Sequence, residues 1–123
     1  MRRYTLGDIT EGRHYQLPKF LFEDPKYTGM SLDAKVLYAI LRDRLELSRK
    51  NNWTNEFGEI YLILQRVDME ELLNRSERTV TRAMNELKAR SLIDEERRGK
   101  GKPNHIFICH LPDKTRNLYG REP

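Results

Sequence analysis

Cysteine is all but missing from this sequence: Cys109 is the single one among 123 residues. A lone cysteine excludes an internal disulfide framework and suits a reducing compartment. Long apolar runs are missing as well. The longest covers six residues, Val36–Leu41, far short of the roughly 20 that span a bilayer. The opening MRRYTLGDITEG has no apolar stretch of the kind a secretion signal carries. Glycine (7) and proline (5) are sparse, and no internal repeat or low-complexity tract breaks the chain. What remains is 37% hydrophobic and 34% charged. That is the composition of a soluble domain long enough for its own core. The expectation is one cytoplasmic domain with no membrane contact.

The marks of catalysis are absent too. The stretch GKGK at 99–102 lacks the G-x-x-x-x-G-K-[ST] spacing of a phosphate-binding loop, and no helix follows it. There is no G-x-S-x-G elbow. There is no His-hydrophobic-His pair of the kind nicking initiators use to hold a metal. His105, Cys109 and His110 suggest a metal only at first sight, because positions 105 and 109 of one strand lie about 13 Å apart. The expectation is therefore no enzyme, no metal and no cofactor.

Positive charge is unevenly placed. Residues 74–104 hold nine of the 23 Lys and Arg but five of the 19 Asp and Glu, leaving 14 of each sign elsewhere. The whole excess of +4 thus sits in one quarter of the chain, as a polyanion-binding surface requires. A solvated charged face is the alternative reading.

The apolar pattern says what carries that charge. The segment 14–30 mixes aromatics with Pro18, Pro25 and Gly29 and reads as a short strand or irregular arm packed on the core. Residues 31–50 form a strong helix, with Ser31 as N-cap and Asp33 in the first turn. Ala34, Val36, Leu37, Tyr38, Ile40, Leu41 and Leu45 cover an arc wider than one packing stripe needs. That helix is either central or also buried against a partner. Arg44 falls inside the arc, where a carboxylate is its expected mate. A turn at Asn55–Gly58 feeds a strand at 59–64. A short helix follows over 66–73, anchored by Val67, Leu72 and Leu73. Then Val80, Ala83, Met84 and Leu87 recur at helical spacing after the N-cap Ser76. Residues 92–98 and 105–111 read as two strands, and the glycines of RRGKGKPN stand where a hairpin tip needs them.

This order is that of an α+β winged helix-turn-helix with a C-terminal β-hairpin wing. The turn is centred on Asn74, which tolerates a left-handed backbone. With its apolar face inward, the second helix of the motif turns Glu77, Arg78, Thr81, Arg82, Asn85 and Lys88 outward. Arginine and asparagine can read guanine and adenine edges, and threonine a thymine methyl. Ser76 and Thr79 at the helix start suit a phosphate. Arg97, Arg98, Lys100, Lys102 and Asn104 on the wing suit a DNA backbone or minor groove.

The runs LPKFLFED, SLDAKVLYAILRDR, WTNEFGEIYL and GKPN, in that order from Tyr15 to Ile108, resemble the N-terminal domain of RepA-type plasmid replication initiators, the RepA_N family. The resemblance implies binding to repeated origin sequences (iterons), as a homodimer or higher assembly. It also implies that host replication proteins are engaged through a C-terminal domain missing here. The implied organisation is a flexible segment at 1–14, the DNA-binding domain at 15–111, and a tail at 112–123. Asn74 departs from the glycine common at that turn. A winged-helix transcriptional regulator and a primosome-type protein-interaction module are the competing readings.

Overall fold

The computed structural model describes residues 1–9 and 12–111. Three helices in it end alike, though none ends on glycine. They are α2 (Leu32–Lys50), α3 (Arg66–Leu73) and α4 (Glu77–Ala89). After each comes a left-handed residue: Asn52 at φ 55°, Asn74 at φ 53° and Ser91 at φ 58°. The next amide then reaches back five residues: Trp53 to the Ser48 carbonyl (3.0 Å), Arg75 to Glu70 (3.2 Å) and Leu92 to Leu87 (3.0 Å). The bonds to Ser48 and Leu87 satisfy carbonyls that the helix itself leaves open, the Glu70 carbonyl also accepts from the Asn74 amide, and each bond turns the chain sharply. At Asn74 the turn gives the tight helix-turn-helix corner that the sequence predicts.

Helices α2 and α4 start on serine caps, with the Ser31 hydroxyl accepting from the Ala34 amide and the Ser76 hydroxyl from the Thr79 amide. Helix α2 is central. It gives Leu37, Tyr38 and Leu41 to the core, where they meet Met69 of α3 and Val80, Ala83, Met84 and Leu87 of α4. The hairpin of β1 (Ile93–Glu96) and β2 (His105–Ile108) pairs antiparallel from Ile93↔Ile108 to Glu96↔His105. Ile93 and Ile106 face the core. The whole is an α+β winged helix-turn-helix, as expected.

Several expectations need correcting. Residues 14–30 hold no strand: a short helix α1 (Phe20–Glu23) follows an exposed extended run, and Leu21, Tyr27 and Met30 drop into the core. The strand expected at 59–64 is reduced to isolated bridges, Thr54↔Ile60 and Leu62↔Ile106. The cause is a change of partner. The Tyr61 amide bonds back to Trp53 (3.1 Å), Leu62 then exchanges both its backbone bonds with Ile106 (2.8 and 2.9 Å), and α3 begins at Arg66. In α3 the buried anchor is Met69; Val67 and Leu72 are exposed and Leu73 is half-buried. In α2, Val36 lies outside the core, while Lys35 is buried with its ammonium on the Thr28 carbonyl (3.3 Å) and over the Phe22 ring. Arg44 makes no ion pair among the described residues. Phe107 is buried as well as Ile106, so both faces of β2 are covered.

The described residues before Tyr15 are exposed and include one 3-10 turn, Leu6–Asp8. The tail expected at 112–123 lies outside the described residues.

Left-handed backbone costs an ordinary L-residue about 1–2 kcal/mol. Asn74→Ala should therefore lower the free energy of unfolding by about 1 kcal/mol, whereas Asn74→Gly should leave it nearly unchanged. Urea titration measures both, and equal losses would mean that the asparagine side chain matters and the backbone geometry does not.

Candidate nucleic-acid interface

The nine basic residues of 74–104 divide into two groups by what they touch. Four are engaged inside the molecule. Arg75 Nε bonds Asp33 in the first turn of α2 at 3.0 Å, and Arg90 Nε bonds the Lys26 carbonyl at 3.1 Å. Lys88 Nζ lies 3.0 Å from Glu95, and Arg98 3.1 Å from Glu96. The remaining five, Arg78, Arg82, Arg97, Lys100 and Lys102, are exposed and make no ion pair among the described residues. They sit on only two elements, the outward face of α4 and the wing tip.

The acids of the same stretch are largely occupied. Glu86 accepts from the amide and hydroxyl of Ser31 at 2.8 and 2.7 Å. Asp94 accepts from the Glu95 amide at 2.9 Å. Glu95 and Glu96 are paired as above. Only Glu77, in the first turn of α4, stands exposed without a partner among the described residues.

On α4, Arg78, Thr81, Arg82, Asn85 and Lys88 are all exposed, as the periodicity predicts, because Val80, Ala83, Met84 and Leu87 take the opposite face. Arg78 and Arg82 stand one turn apart. Ser76 is already committed, since its hydroxyl caps the Thr79 amide (3.2 Å) and donates to the Thr79 hydroxyl (3.1 Å). At the wing tip the Lys102 amide closes a turn on the Gly99 carbonyl (3.1 Å). Gly101 lies inside that turn at φ +77°, with open space where a Cβ would be, so backbone conformation alone calls for glycine there.

Lys88 and Asn104 differ from the other candidates because both are held by one carboxylate. Glu95 receives Lys88 at 3.0 Å, Asn104 Nδ2 at 3.1 Å, and both terminal nitrogens of Arg66 at 3.1 Å. Its side chain is 6% exposed. Burial pushes the carboxyl upward, but the bonds from Arg66, Asn104 and Lys88 outweigh it and hold the pKa at about 2. Charge counting and helical periodicity do not reveal this cluster. Strand alternation held the signal, since Glu95 shares a face with the buried Ile93.

Behind the wing, Tyr61 stacks on His105 at 3.7 Å between ring centres, with Trp53 parallel to Tyr61 at 6.1 Å. Burial, then the nearby Arg98, lowers the His105 pKa, so the ring is neutral at physiological pH. Burial, then Asp94 and Glu59, raises that of the Cys109 thiol. Among the described residues no three His, Cys, Asp or Glu side chains are grouped to hold a metal, and no helix is long and apolar enough to cross a membrane.

The arrangement has relatives. A family model described as the replication initiator protein A (RepA) N-terminus matches residues 13–120. A "41 kDa protein" of Lactobacillus helveticus is 30% identical over 114 residues, which are 88% of this chain and 32% of that protein. The chain thus spans about a third of the length of that curated relative. A solved structure described as an N-terminal domain of a DNA binding protein is 34% identical, with a TM-score of 0.75 over 97% of this chain and 91% of that one. Another, described as a Rep-DNA complex, is 32% identical, with a TM-score of 0.73 over 99% of each chain.

The depressed pKa of Glu95 has a stability consequence. A carboxyl at about 2 in the folded state against an ordinary 4.5 contributes stability that is complete above about pH 4.5 and lost as pH falls towards 2. The amount is on the order of 3 kcal/mol. Glu95→Gln should therefore lose less stability than the wild type between about pH 5 and pH 3. Denaturant midpoints across that range measure it, and parallel profiles would contradict the bonding described.

Proposed function

We propose, since the chain belongs to the replication initiator protein A (RepA) N-terminal family, that it binds the repeated sequences of a plasmid replication origin as double-stranded DNA. The observation that carries this reading is the gathering of the five unpaired cations onto one helix face and one wing tip. Further support comes from a neighbour of matching fold described as a Rep-DNA complex. In this reading α4 enters the major groove by its N-terminal half. Arg78, Thr81, Arg82 and Asn85 then face base edges, and the open first amides of α4, with the Thr79 hydroxyl that Ser76 holds, face a phosphate. Arg97, Arg98, Lys100 and Lys102 follow the sugar-phosphate backbone or enter the minor groove. The protein works by binding alone, in the cytoplasm, with no chemistry of its own. Residues 15–111 form the binding unit. Host replication proteins are a further partner class in this reading.

Reader and clamp are separable by salt. Arg82→Ala should weaken the complex with a selected duplex by about 1–3 kcal/mol and relax preference at one or two base pairs. Lys100→Ala should weaken selected and random duplexes by similar factors. It should also reduce the slope of log K against log salt by roughly 0.9 for each phosphate no longer neutralised. The opposite pattern, with Lys100 affecting only the selected complex and Arg82 both alike, would reverse the roles. No preference for origin DNA over random DNA would leave the protein-interaction reading standing.

Tandem repeats are matched by an assembly of protomers. Tyr15, Ile40, Leu47 and Leu72 line one hollow outside residues 76–104. Tyr15, Leu47 and Leu72 are exposed there. Self-association through this face should appear in sedimentation at tens of micromolar and be weakened by Leu47→Asp. A strict monomer, with DNA and without it, is the contrary result.

A further inference from the structure

The wing tip extends beyond its own ladder. The strands pair no further than Glu96↔His105, so residues 97–104 lie past the last rung. One side chain in that stretch reaches back into the body of the domain: Asn104 Nδ2 donates to Glu95 at 3.1 Å. The same carboxylate holds Arg66, the first residue of α3, in a two-pronged bond at 3.1 Å, and Lys88, in the last turn of α4, at 3.0 Å. One acid therefore joins both helices of the helix-turn-helix to the return arm of the wing.

An acid is a poor choice at this place by charge alone. It lies between two cationic elements that face a polyanion, and its charge opposes binding. What it holds accounts for it. A two-pronged arginine bond fixes direction as well as distance, and the carboxylate is nearly closed to solvent, with 6% of its side chain exposed.

We propose that Glu95 is a positioning residue for DNA discrimination: by holding Arg66, Lys88 and Asn104 together it sets the wing against α4, so that both meet one duplex in fixed register. This rests on the DNA-binding reading above. Lys88 and Asn104 then act through Glu95, leaving direct contact to Arg98, to the five cations without an ion pair among the described residues, and to their polar neighbours.

The test uses the full chain and a duplex that the wild type itself selects from a random pool, with a scrambled duplex of equal length. Glu95→Gln removes one charge and breaks the clasp. Its affinity for the scrambled duplex should stay level or rise a few-fold, while the ratio of selected to scrambled affinity falls about tenfold. Asp94→Asn removes a neighbouring charge and keeps an acceptor for the Glu95 amide. It should shift both affinities by similar factors and preserve the ratio. Glu95→Asp keeps the charge and shortens the reach, so it should lose the ratio. Asn104→Ala cuts only the wing tie and should lose it too, which decides the matter even if Glu95→Gln fails to fold. Without DNA, the amide signals of Gly99 and Gly101 should move in both Glu95→Gln and Asn104→Ala while those of Leu37 and Met84 stay. A ratio preserved in Glu95→Gln and Asn104→Ala overturns the proposal, as does a fall of both affinities in Asn104→Ala in step with lost folded protein. If the wild type selects no duplex at all, the DNA-binding reading falls and this proposal with it.

Discussion

Helix α4 must satisfy two surroundings at once, and the rest of the domain is arranged around that. Its thirteen residues put Val80, Ala83, Met84 and Leu87 into the core with at most 1% of each exposed. Burying such side chains is worth roughly 1.5–3 kcal/mol each for the larger ones, so the rotation of the helix about its axis has little freedom. The outward direction of Arg78, Arg82 and Asn85 is thus decided by packing on the opposite side. Polar contacts fix the remaining degrees of freedom. Glu86 clasps the cap of α2 through Ser31, and Arg75 ties the corner before α4 to Asp33. Leu92, whose amide ends α4, leads straight into the wing.

The charge of the interface comes from subtraction. The stretch 74–104 contains acids and bases in close mixture, and along the chain the excess is only modest. Folding changes the local balance, because Glu95 and Glu96 are paired with cations inside the molecule, while Glu86 and Asp94 accept from neutral donors and keep their charge. Among the described residues, the cations left without an ion pair share two elements on which nearly every acid already has a hydrogen-bond partner. Surface pairs such as Arg98–Glu96 add little stability, but they decide where potential survives.

How far the sequence reveals this depends on the range of the interaction. The helical period of Val80–Leu87, the serine caps and the hairpin glycines are local signals, and they placed α4, the wing and most of the candidate site. The left-handed turn at Asn74 was legible for the same reason. Tertiary choices were not. Met69 displaced Val67 and Leu72 as the anchor of α3 because it lies on the side of that short helix that packs into the core. The segment 59–64 alternates like a strand, yet it divides its bonds between Trp53 and Ile106. Arg66 and Glu95 are 29 residues apart, and nothing in the local pattern of either points to the other, although alternation from Ile93 turned Glu95 inward.

The ladder that stops at Glu96↔His105 leaves residues 97–104 as a short loop fastened to the rigid body that carries α4. Its two contact regions therefore behave as two ligands on one stiff linker. In the proposed complex, once the helix had landed, the wing cations would meet the strand beside it at an effective concentration set by the length of that tether, with dilution in bulk having no say. Individually weak lysine contacts would then become long-lived by rebinding before the helix lets go. The residence time of the complex is then a property of the tether as much as of any single side chain.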